Sequence, residues 1–300
     1  HGVDCVVSGD IPIAAGLSSS SALVVAMAHA LVLTNGLPLT AHDLVDVCGE
    51  GEWFVGTRGG SADHAAVKLS QARRVAHVGF FPFAIKEYVP FPDGYSLVIC
   101  NSRIQARKAA GARDIFNERV ASYEFAVRWV KERFPNYAPL VSHLRDICPE
   151  TLGVDTEGIY RILLEVPDRI SSEALRRETG EHLFAPLTQS HTPPAHYELR
   201  GRLLFGIAEC ERSKQALQLL KDGALKRFGS LMNISHDGDR VVATDRRPYN
   251  VDVSCPAIQS LMANMAHASG AGAQLYAQPG VYACSIPEID AMVDTALSTP

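Results

Sequence analysis

The chain has 300 residues, of which 47% are hydrophobic and 20% are charged, and its formal net charge at pH 7 is -5. This composition is typical of one large or two medium globular domains, and it argues against a dedicated nucleic-acid binder, which would usually carry a basic excess. No stretch approaches the roughly 20 consecutive apolar residues of a membrane-spanning helix, since the longest apolar run, at 22–33, is short and contains His29. We therefore expect no nucleic-acid partner and no membrane partner.

The seven cysteines are odd in number and scattered along the chain, and no two of them form a C-x-x-C pair. This spacing argues against a disulfide framework and against a structural zinc site. The histidines show no H-E-x-x-H spacing of the kind found in zinc hydrolases. Free thiols are typical of a reducing compartment, so the sequence predicts a cytoplasmic protein.

Four consecutive serines at 18–21 separate a short β-like run at 4–8 from an apolar stretch at 22–33. The apolar stretch has no polar face, which predicts a buried helix, and the Asn35-Gly36 pair favours a left-handed C-cap after it. A helix N-terminus with small side chains suits a phosphate, and hydroxyl groups can also ligate Mg²⁺. The alternative is a serine-rich N-cap without a ligand. A Walker A loop is excluded because its G-K-[ST] ending is absent.

A second helix is predicted after Thr40, whose side chain is a favourable N-cap. One face of this helix carries residues spaced by four, namely Leu44, Cys48 and Glu52. A carboxylate therefore lies among apolar residues, which is unusual. Beyond it, Asp63 follows the Gly59-Gly60 turn, where it could accept a proton from a substrate hydroxyl. The alternative is that Asp63 only caps a helix that begins at His64.

The pattern between 74 and 100 changes to β, with runs of aromatic or β-branched residues at 80–83 and 95–100 separated by turn signals. A long amphipathic helix is then predicted from Asp114 onward. Its apolar stripe steps by three or four positions through Phe116, Val120, Tyr123, Val127, Val130 and Phe134. This stripe predicts a helix that packs against a core along its whole length.

The remainder of the chain is predicted to be mainly helical. Proline punctuation from 135 to 194 indicates short helices and loops, and a long helix follows that breaks at Asp222-Gly223 before a further helix. The Gly/Ala-rich stretch at 269–279 predicts a loop, and 287–297 predicts a closing helix. These elements predict two α+β halves that join near residues 92–96.

Several of these segments together resemble the GHMP small-molecule kinases and, among them, the galactokinase branch. The run P-I-A-A-G-L-S-S-S-S-A at 12–22 resembles the family's phosphate loop. The run E-W-F-V-G-T-R-G-G-S-A-D-H at 52–64 resembles the galactokinase segment that ends in the catalytic aspartate. The similarity continues in the family's order at Asn101-Ser102, at F-N-E-R (116–119), at 223–236 and at P-E-I-D (287–290).

This resemblance implies a two-domain α+β GHMP kinase fold with a ribosomal-protein-S5-like N-terminal half and a ferredoxin-like C-terminal half. The N-terminal domain would occupy 1–94 and the C-terminal domain 95–300. The family's first motif, which binds sugar and supplies a catalytic arginine, and its last glycine-rich motif are both absent. We expect the first before His1, in a segment on the order of 100 residues, and the last after Pro300. Alternatively, 269–273 is a degenerate copy of the last motif.

The resemblance also implies roles for individual residues. The ATP phosphates would be held by Gly16, Leu17, Ser18, Ser19 and Ser20. Mg²⁺ would be ligated by Ser20 and Glu52, and the ion would offset the burial of the Glu52 carboxylate. Asp63 would be the catalytic base or the group that orients the sugar hydroxyl, and Gly60, Asp63 and Phe116 would contact the sugar. Phosphoryl transfer requires mainly positioning and charge neutralisation, which such groups supply.

Three residues depart from the pattern of the branch. Phe116 stands where the branch has a sugar-contacting tyrosine, which removes one hydrogen bond. His64 stands where glutamine or asparagine usually follows the aspartate. Arg58 is also atypical, and it either replaces part of the missing arginine or is a solvated charge.

The sequence thus predicts an ATP- and Mg²⁺-dependent carbohydrate kinase that transfers the γ-phosphoryl group to a monosaccharide hydroxyl, the anomeric one. Galactose, arabinose, a uronic acid and an N-acetylhexosamine all stay open as substrates, as does the oligomeric state. A non-catalytic sensor or regulator that binds sugar and nucleotide is the main alternative. Phe116 and His64 leave room for it, whereas intact Ser20, Glu52 and Asp63 argue against it. A kinase of the same superfamily with a non-sugar substrate, such as mevalonate or homoserine, is a further alternative.

Overall fold

The computed structural model of the chain describes residues 2–13, 15–96 and 110–241. Helices dominate these residues, and the four strands among them are short. None of the helices in these ranges is both long and apolar enough to cross a membrane. The cysteines in these ranges are free, as the sequence predicted, and they are Cys5, Cys48, Cys148 and Cys210.

The described residues divide into two compact units. The first contains the described residues up to 96 together with Leu217–Ser230, and the second contains 110–216 together with 231–241. The predicted domain boundary at 94/95 stays a prediction. The segment Leu217–Ser230 packs with the N-terminal unit, although more than a hundred residues separate them along the chain. The sequence did not indicate this packing.

The first unit begins with a group of three helices that contact one another. They are α1 (Ser19–Asn35), α2 (Ala41–Gly51) and α3 (Ala62–Leu69), with one turn of 3-10 helix at Glu52–Val55 after α2. Val25, Leu44 and Cys48 form a small buried cluster between α1 and α2. The shared face of Leu44 and Cys48 predicted from their spacing is therefore confirmed.

The ends of these helices follow from local sequence. Gly36 ends α1 with a φ of 60°, a left-handed conformation that glycine adopts without the strain of a Cβ, and its N–H bonds back to the Leu33 carbonyl. Thr40 and Asp43 cap α2 reciprocally, because each side chain accepts a hydrogen bond from the other's backbone N–H. Both predicted caps are confirmed. Helix α3 begins at Ala62, two residues earlier than expected, so Asp63 lies inside its first turn.

Helix α1 is less buried than its sequence predicts. Only Ser21 and Val25 are buried, whereas Leu23 and Leu33 on other sides of the helix are exposed. The apolar residues surround the whole helix, but α2 and α3 cover only one side of it. Hydrophobicity all round a helix therefore did not distinguish the covered side from the sides that the described residues leave open.

A β-hairpin follows the three helices. Strands β1 (Arg74–Gly79) and β2 (Ala84–Pro90) pair antiparallel, with a register shift between His77 and Val78. The run at 80–83, which we predicted as β, forms the turn instead, because Pro82 has no N–H to donate to a strand ladder. Of the second predicted run, residues 97–100 lie outside the described residues.

The hairpin packs against the segment Leu217–Ser230, in which two long helices adjoin. These are α9 (Arg200–Lys221) and α10 (Leu225–Val241), whose sequences meet at Asp222-Gly223 as predicted. Val89 of β2, Leu220 and Leu225 form a buried cluster, and Lys221 Nζ lies 2.7 Å from Glu87 Oε2. The segment Leu217–Ser230 thus belongs to the core of the first unit.

The second unit is built on α4 (Ala110–Arg133), which confirms the long amphipathic helix predicted from Asp114. Phe125 on this helix packs against the rings of Phe184 and Tyr197 with centroid distances of 5.7 and 5.3 Å. The unit also contains one turn of 3-10 helix (Leu144–Asp146), the helices α5 (Pro149–Leu152), α6 (Thr156–Leu164), α7 (Ser172–Thr179) and α8 (Glu181–Thr188), and the antiparallel pair β3 (Arg169–Ser171) and β4 (His196–Glu198). The parts of α9 and α10 at 200–216 and 231–241 complete it. The predicted short helices and loops between 135 and 194 are therefore confirmed. The loop predicted at 269–279, the helix predicted at 287–297 and the Asn101-Ser102 motif lie outside the described residues.

Candidate active site

The serine loop leads into α1 through two residues in left-handed conformation. Gly16 has a φ of 75° and Ser18 a φ of 54°, so the chain turns sharply immediately before the helix. Ser18 is the N-cap residue, yet its side chain makes no capping hydrogen bond. The first N–H groups of the helix are thus left without a side-chain cap, and the positive end of the helix dipole is bordered by small side chains. Such an end can bind an anion such as a phosphate.

The Glu52 carboxylate lies against this first turn of α1. The Ser21 hydroxyl donates a hydrogen bond to Glu52 Oε1 at 3.0 Å, and His64 Nε2 lies 3.6 Å from the same oxygen. Ser21 is 2% exposed, His64 is fully buried, and the Glu52 side chain keeps 13% of its surface exposed. One residue from each of three elements therefore meets at one carboxylate: Ser21 from α1, Glu52 from the end of α2 and His64 from α3.

The second oxygen of Glu52 faces the glycine turn. A Cβ placed on Gly59 would lie 3.8 Å from Glu52 Oε2, and apart from the neighbouring residues of the turn no other described atom comes within 4 Å of that position. Trp53 Nε1 donates to the Gly59 carbonyl at 2.9 Å, which fixes the turn, and the Arg58 guanidinium stacks over the Trp53 ring at 5.1 Å. Glu52 thus has one oxygen bound inside the helix cluster and the other directed to the turn that leads to Asp63.

Asp63 is an exposed residue in the first turn of α3. Its neighbour His64 is buried, as expected for successive helical residues, which point about 100° apart. Asp63 is therefore available to a ligand while His64 points into the helix cluster. A carboxylate in the first turn of a helix is also favoured by the helix dipole.

Of the two predicted Mg²⁺ ligands, Glu52 lies at the contact with Ser21 and His64, whereas Ser20 does not take part in that contact. Ser20 is exposed on the first turn of α1, and it is Ser21, not Ser20, that hydrogen-bonds Glu52. The role of Ser20 as a ligand stays a prediction. In the part of the chain that the structure describes, no group of three or more His, Cys, Asp or Glu side chains could hold a metal ion.

Sequence analysis assigned no role to Ser21 and none to His64 beyond its departure from the family pattern. Ser21 and the buried Val25 are one helical turn apart and share the inner face of α1, but the sequence did not mark this face because apolar residues surround the whole helix. For His64 the only signal was its position next to Asp63. Their meeting at Glu52 depends on how three helices pack, which spacing along the chain does not give.

The predicted sugar contacts lie in both units. Gly60 is exposed in the turn of the first unit, and Phe116 is half-buried on α4 in the second. Next to Phe116, the buried Asn117 donates from Nδ2 to the Ser190 carbonyl at 2.7 Å, which fixes this end of α4. The contacts of Gly60 and Phe116 with a sugar stay predictions.

The chain is similar to known proteins in sequence and in fold. Residues 1–71, which contain the serine loop, Glu52 and Asp63, match the family model described as GHMP kinases N terminal domain. A solved structure, the galactokinase of Lactococcus lactis complexed with galactose, matches with a TM-score of 0.61 at 20% identity, over 96% of this chain and 63% of that one. The fold is therefore that of a GHMP kinase, as predicted.

The chain is also similar to curated galactokinases. The galactokinase of Roseiflexus sp. (strain RS-1) is 25% identical over 290 residues, which are 96% of this chain and 61% of the relative. The galactokinase of Chloroflexus aggregans (strain MD-66 / DSM 9485) is 31% identical over 241 residues, 80% of this chain and 50% of that protein. The chain is thus similar to the galactokinase-like branch of the GHMP kinases, in sequence and in fold. It spans between half and about three-fifths of the length of these relatives.

Proposed function

We propose that the protein that carries this chain is an ATP-dependent sugar kinase. It transfers the γ-phosphoryl group of ATP to the anomeric hydroxyl of a monosaccharide. The observation that carries the proposal is the 3.0 Å hydrogen bond from Ser21 to Glu52. It holds a carboxylate beside the uncapped N-terminus of α1, so that an anion-binding helix end and a cation-binding group adjoin each other. Similarity to curated galactokinases supports the same reaction.

In this proposal the residues Gly16 to Ser20 hold the ATP phosphates. The left-handed residues Gly16 and Ser18 turn the chain sharply, so the loop passes directly into the first turn of α1 with its N–H groups. Ser19 and Ser20 are small, so a phosphate can approach the backbone closely, and their hydroxyls add further donors. The helix dipole then stabilises the negative charge without any movement of the chain.

The donor set beside this loop fits Mg²⁺. This ion prefers oxygen ligands, and in kinase sites it is usually bound by one or two carboxylates together with substrate phosphates. Glu52 Oε2, which faces the Gly59 turn, and the exposed Ser20 hydroxyl are oxygen donors of this kind. When bound, Mg²⁺ would neutralise charge that develops on the transferring phosphoryl group.

We expect the substitution Glu52→Gln to raise the Mg²⁺ concentration needed for half-maximal ATP binding by at least about tenfold, because even the partners of a metal ligand typically contribute that much to metal affinity. Calorimetric titration of Mg²⁺ at fixed ATP measures the change. Glu50→Gln is the matched control, since Glu50 is an exposed glutamate two residues away on α2. An unchanged Mg²⁺ titration in the Glu52→Gln protein would refute the ligand role.

Asp63 accepts or orients the proton of the sugar hydroxyl in this proposal. Its exposure at the start of α3 lets a substrate reach it, and the absence of a side chain at Gly60 leaves room for the sugar ring. Phe116 would pack against an apolar face of the sugar and not hydrogen-bond to it. Galactose is the first candidate substrate, because the Lactococcus lactis relative binds it, and arabinose, a uronic acid and an N-acetylhexosamine are the others.

We also propose that the protein acts in the cytoplasm, in line with the unpaired cysteines in the described part of the chain. The experiment that tests the proposed function is an ATP-consumption screen of the full-length protein against these four classes of monosaccharide. We expect consumption that depends on one of the sugars and on Mg²⁺. Binding of both sugar and ATP without consumption would instead favour the non-catalytic sensor.

A further inference from the structure

We infer that Ser21 and His64 are positioning residues, which hold the Glu52 carboxylate in the orientation that directs its second oxygen toward the bound cation. The inference rests on the proposed function, because it concerns the metal-binding role of Glu52. Orienting the Glu52 carboxylate is thereby assigned to two buried polar residues, one from the serine run and one from the helix that follows the Asp63 turn.

The contacts of Glu52 divide cleanly between its two oxygens. Ser21 Oγ at 3.0 Å and His64 Nε2 at 3.6 Å both approach Oε1, whereas Oε2 lies on the side of Gly59. A hydrogen bond to one carboxylate oxygen restricts the torsions of the Glu52 side chain, and with them the directions open to the other oxygen. Ser21 and His64 therefore leave the outward oxygen free for a ligand.

Among the described residues, no hydrogen bond explains the burial of the polar His64 ring. Its ring is fully buried, and neither Nδ1 nor Nε2 has a hydrogen-bond partner among the described residues. Such a group is costly to bury, and its presence requires an explanation. The Glu52 carboxylate at 3.6 Å is the charged group that its Nε2 faces, so an approach of about half an ångström would complete a hydrogen bond between them.

Holding the carboxylate in advance benefits cation binding. A glutamate side chain has three rotatable bonds, and restricting them costs free energy, which must otherwise come from the binding of the ion. Before any ligand is present, Ser21 of α1 is already bonded to Glu52 and His64 of α3 lies beside the same oxygen. Residues that contact a metal ligand in this manner typically change metal affinity 10- to 100-fold when they are replaced.

The test compares Ser21→Ala, His64→Leu and His64→Gln in the full-length protein, with the Mg²⁺ concentration for half-maximal ATP binding as the readout. We expect about a tenfold increase for Ser21→Ala and an increase for His64→Leu. His64→Gln should stay nearer to the unchanged protein, because its amide can still donate to Oε1. ATP binding without Mg²⁺ should be the same in all of them. Ser122→Ala, which also removes a buried hydroxyl, bonded there to the Glu118 carbonyl, is the control.

A merely structural role is separated by repeating Ser21→Ala in a Glu52→Gln background. Positioning acts through the carboxylate, so we expect no further change in Mg²⁺ dependence there. The inference would be overturned if Ser21→Ala weakened Mg²⁺-dependent ATP binding equally in both backgrounds. It would also be overturned if the single substitutions Ser21→Ala and His64→Leu left the Mg²⁺ dependence unchanged. In either case the proposed function stands. Absence of Mg²⁺-dependent ATP binding in the unchanged protein would overturn the proposed function and the inference with it.

Discussion

Replacement of Asp63 by asparagine is expected to lower sugar-dependent ATP consumption by at least about 100-fold, the scale at which a single general base contributes. Asparagine has nearly the shape of aspartate but cannot accept the proton of the sugar hydroxyl. Asp63 is exposed and takes no part in the Ser21–Glu52 hydrogen bond, so nucleotide affinity should change by no more than about twofold.

The measurement is steady-state turnover together with calorimetric ATP binding on the same preparations of the full-length protein. Asp46→Asn is the matched control, because Asp46 is also an exposed helical aspartate of the first unit, on α2. Its turnover should stay near that of the unchanged protein. Full residual activity in Asp63→Asn would remove Asp63 from the reaction.

The substitution Leu163→Ala is expected to destabilise the second unit by about 2–5 kcal/mol, because it opens a cavity in a packed core. Leu163 is 3% exposed and belongs to the cluster around Phe125, Phe184 and Tyr197. Its neighbour Leu164 on the same helix is 66% exposed. The same substitution at Leu164 should change stability by less than about 0.5 kcal/mol, which makes it a matched control.

The two tryptophans of the chain allow each unit to be followed separately. Trp129 is on α4 in the second unit and packs against its core, whereas Trp53 is in the first unit. Urea unfolding in a Trp53→Phe background, monitored by the fluorescence of Trp129, therefore reports the second unit. Equal midpoints for Leu163→Ala and Leu164→Ala would contradict the packing described for α6.

Sequence patterns predicted the elements whose causes are local. The stripe of α4, the reciprocal cap at Thr40 and Asp43, and the break at Gly223 depend on residues within a few positions of one another. Side-chain spacing and turn chemistry therefore suffice to predict them. The serine loop and the Asp63 turn could also be predicted from the sequence, because four consecutive serines and a Gly-Gly pair are uncommon and indicate a close approach of the backbone to a ligand.

The remaining features depend on contacts between distant segments. The apolar surface of α1 predicted burial on all sides, although only α2 and α3 cover it among the described residues. The packing of Leu217–Ser230 with the first unit and the contact of Ser21 with Glu52 join residues far apart in the chain. No periodicity encodes such contacts, so the partners of Glu52 required the three-dimensional arrangement.

The central claim, that this site transfers a phosphoryl group from ATP to a sugar, is tested most directly by following the label from γ-labelled ATP. Full-length protein is incubated with labelled ATP, Mg²⁺ and the sugar that stimulates ATP consumption, and the products are separated and treated with mild acid. We predict a labelled sugar phosphate that mild acid hydrolyses, as expected of an ester at the anomeric carbon, and its loss in Asp63→Asn. Label that appears only as inorganic phosphate before the acid treatment, or a sugar phosphate formed equally by Asp63→Asn, would contradict the account.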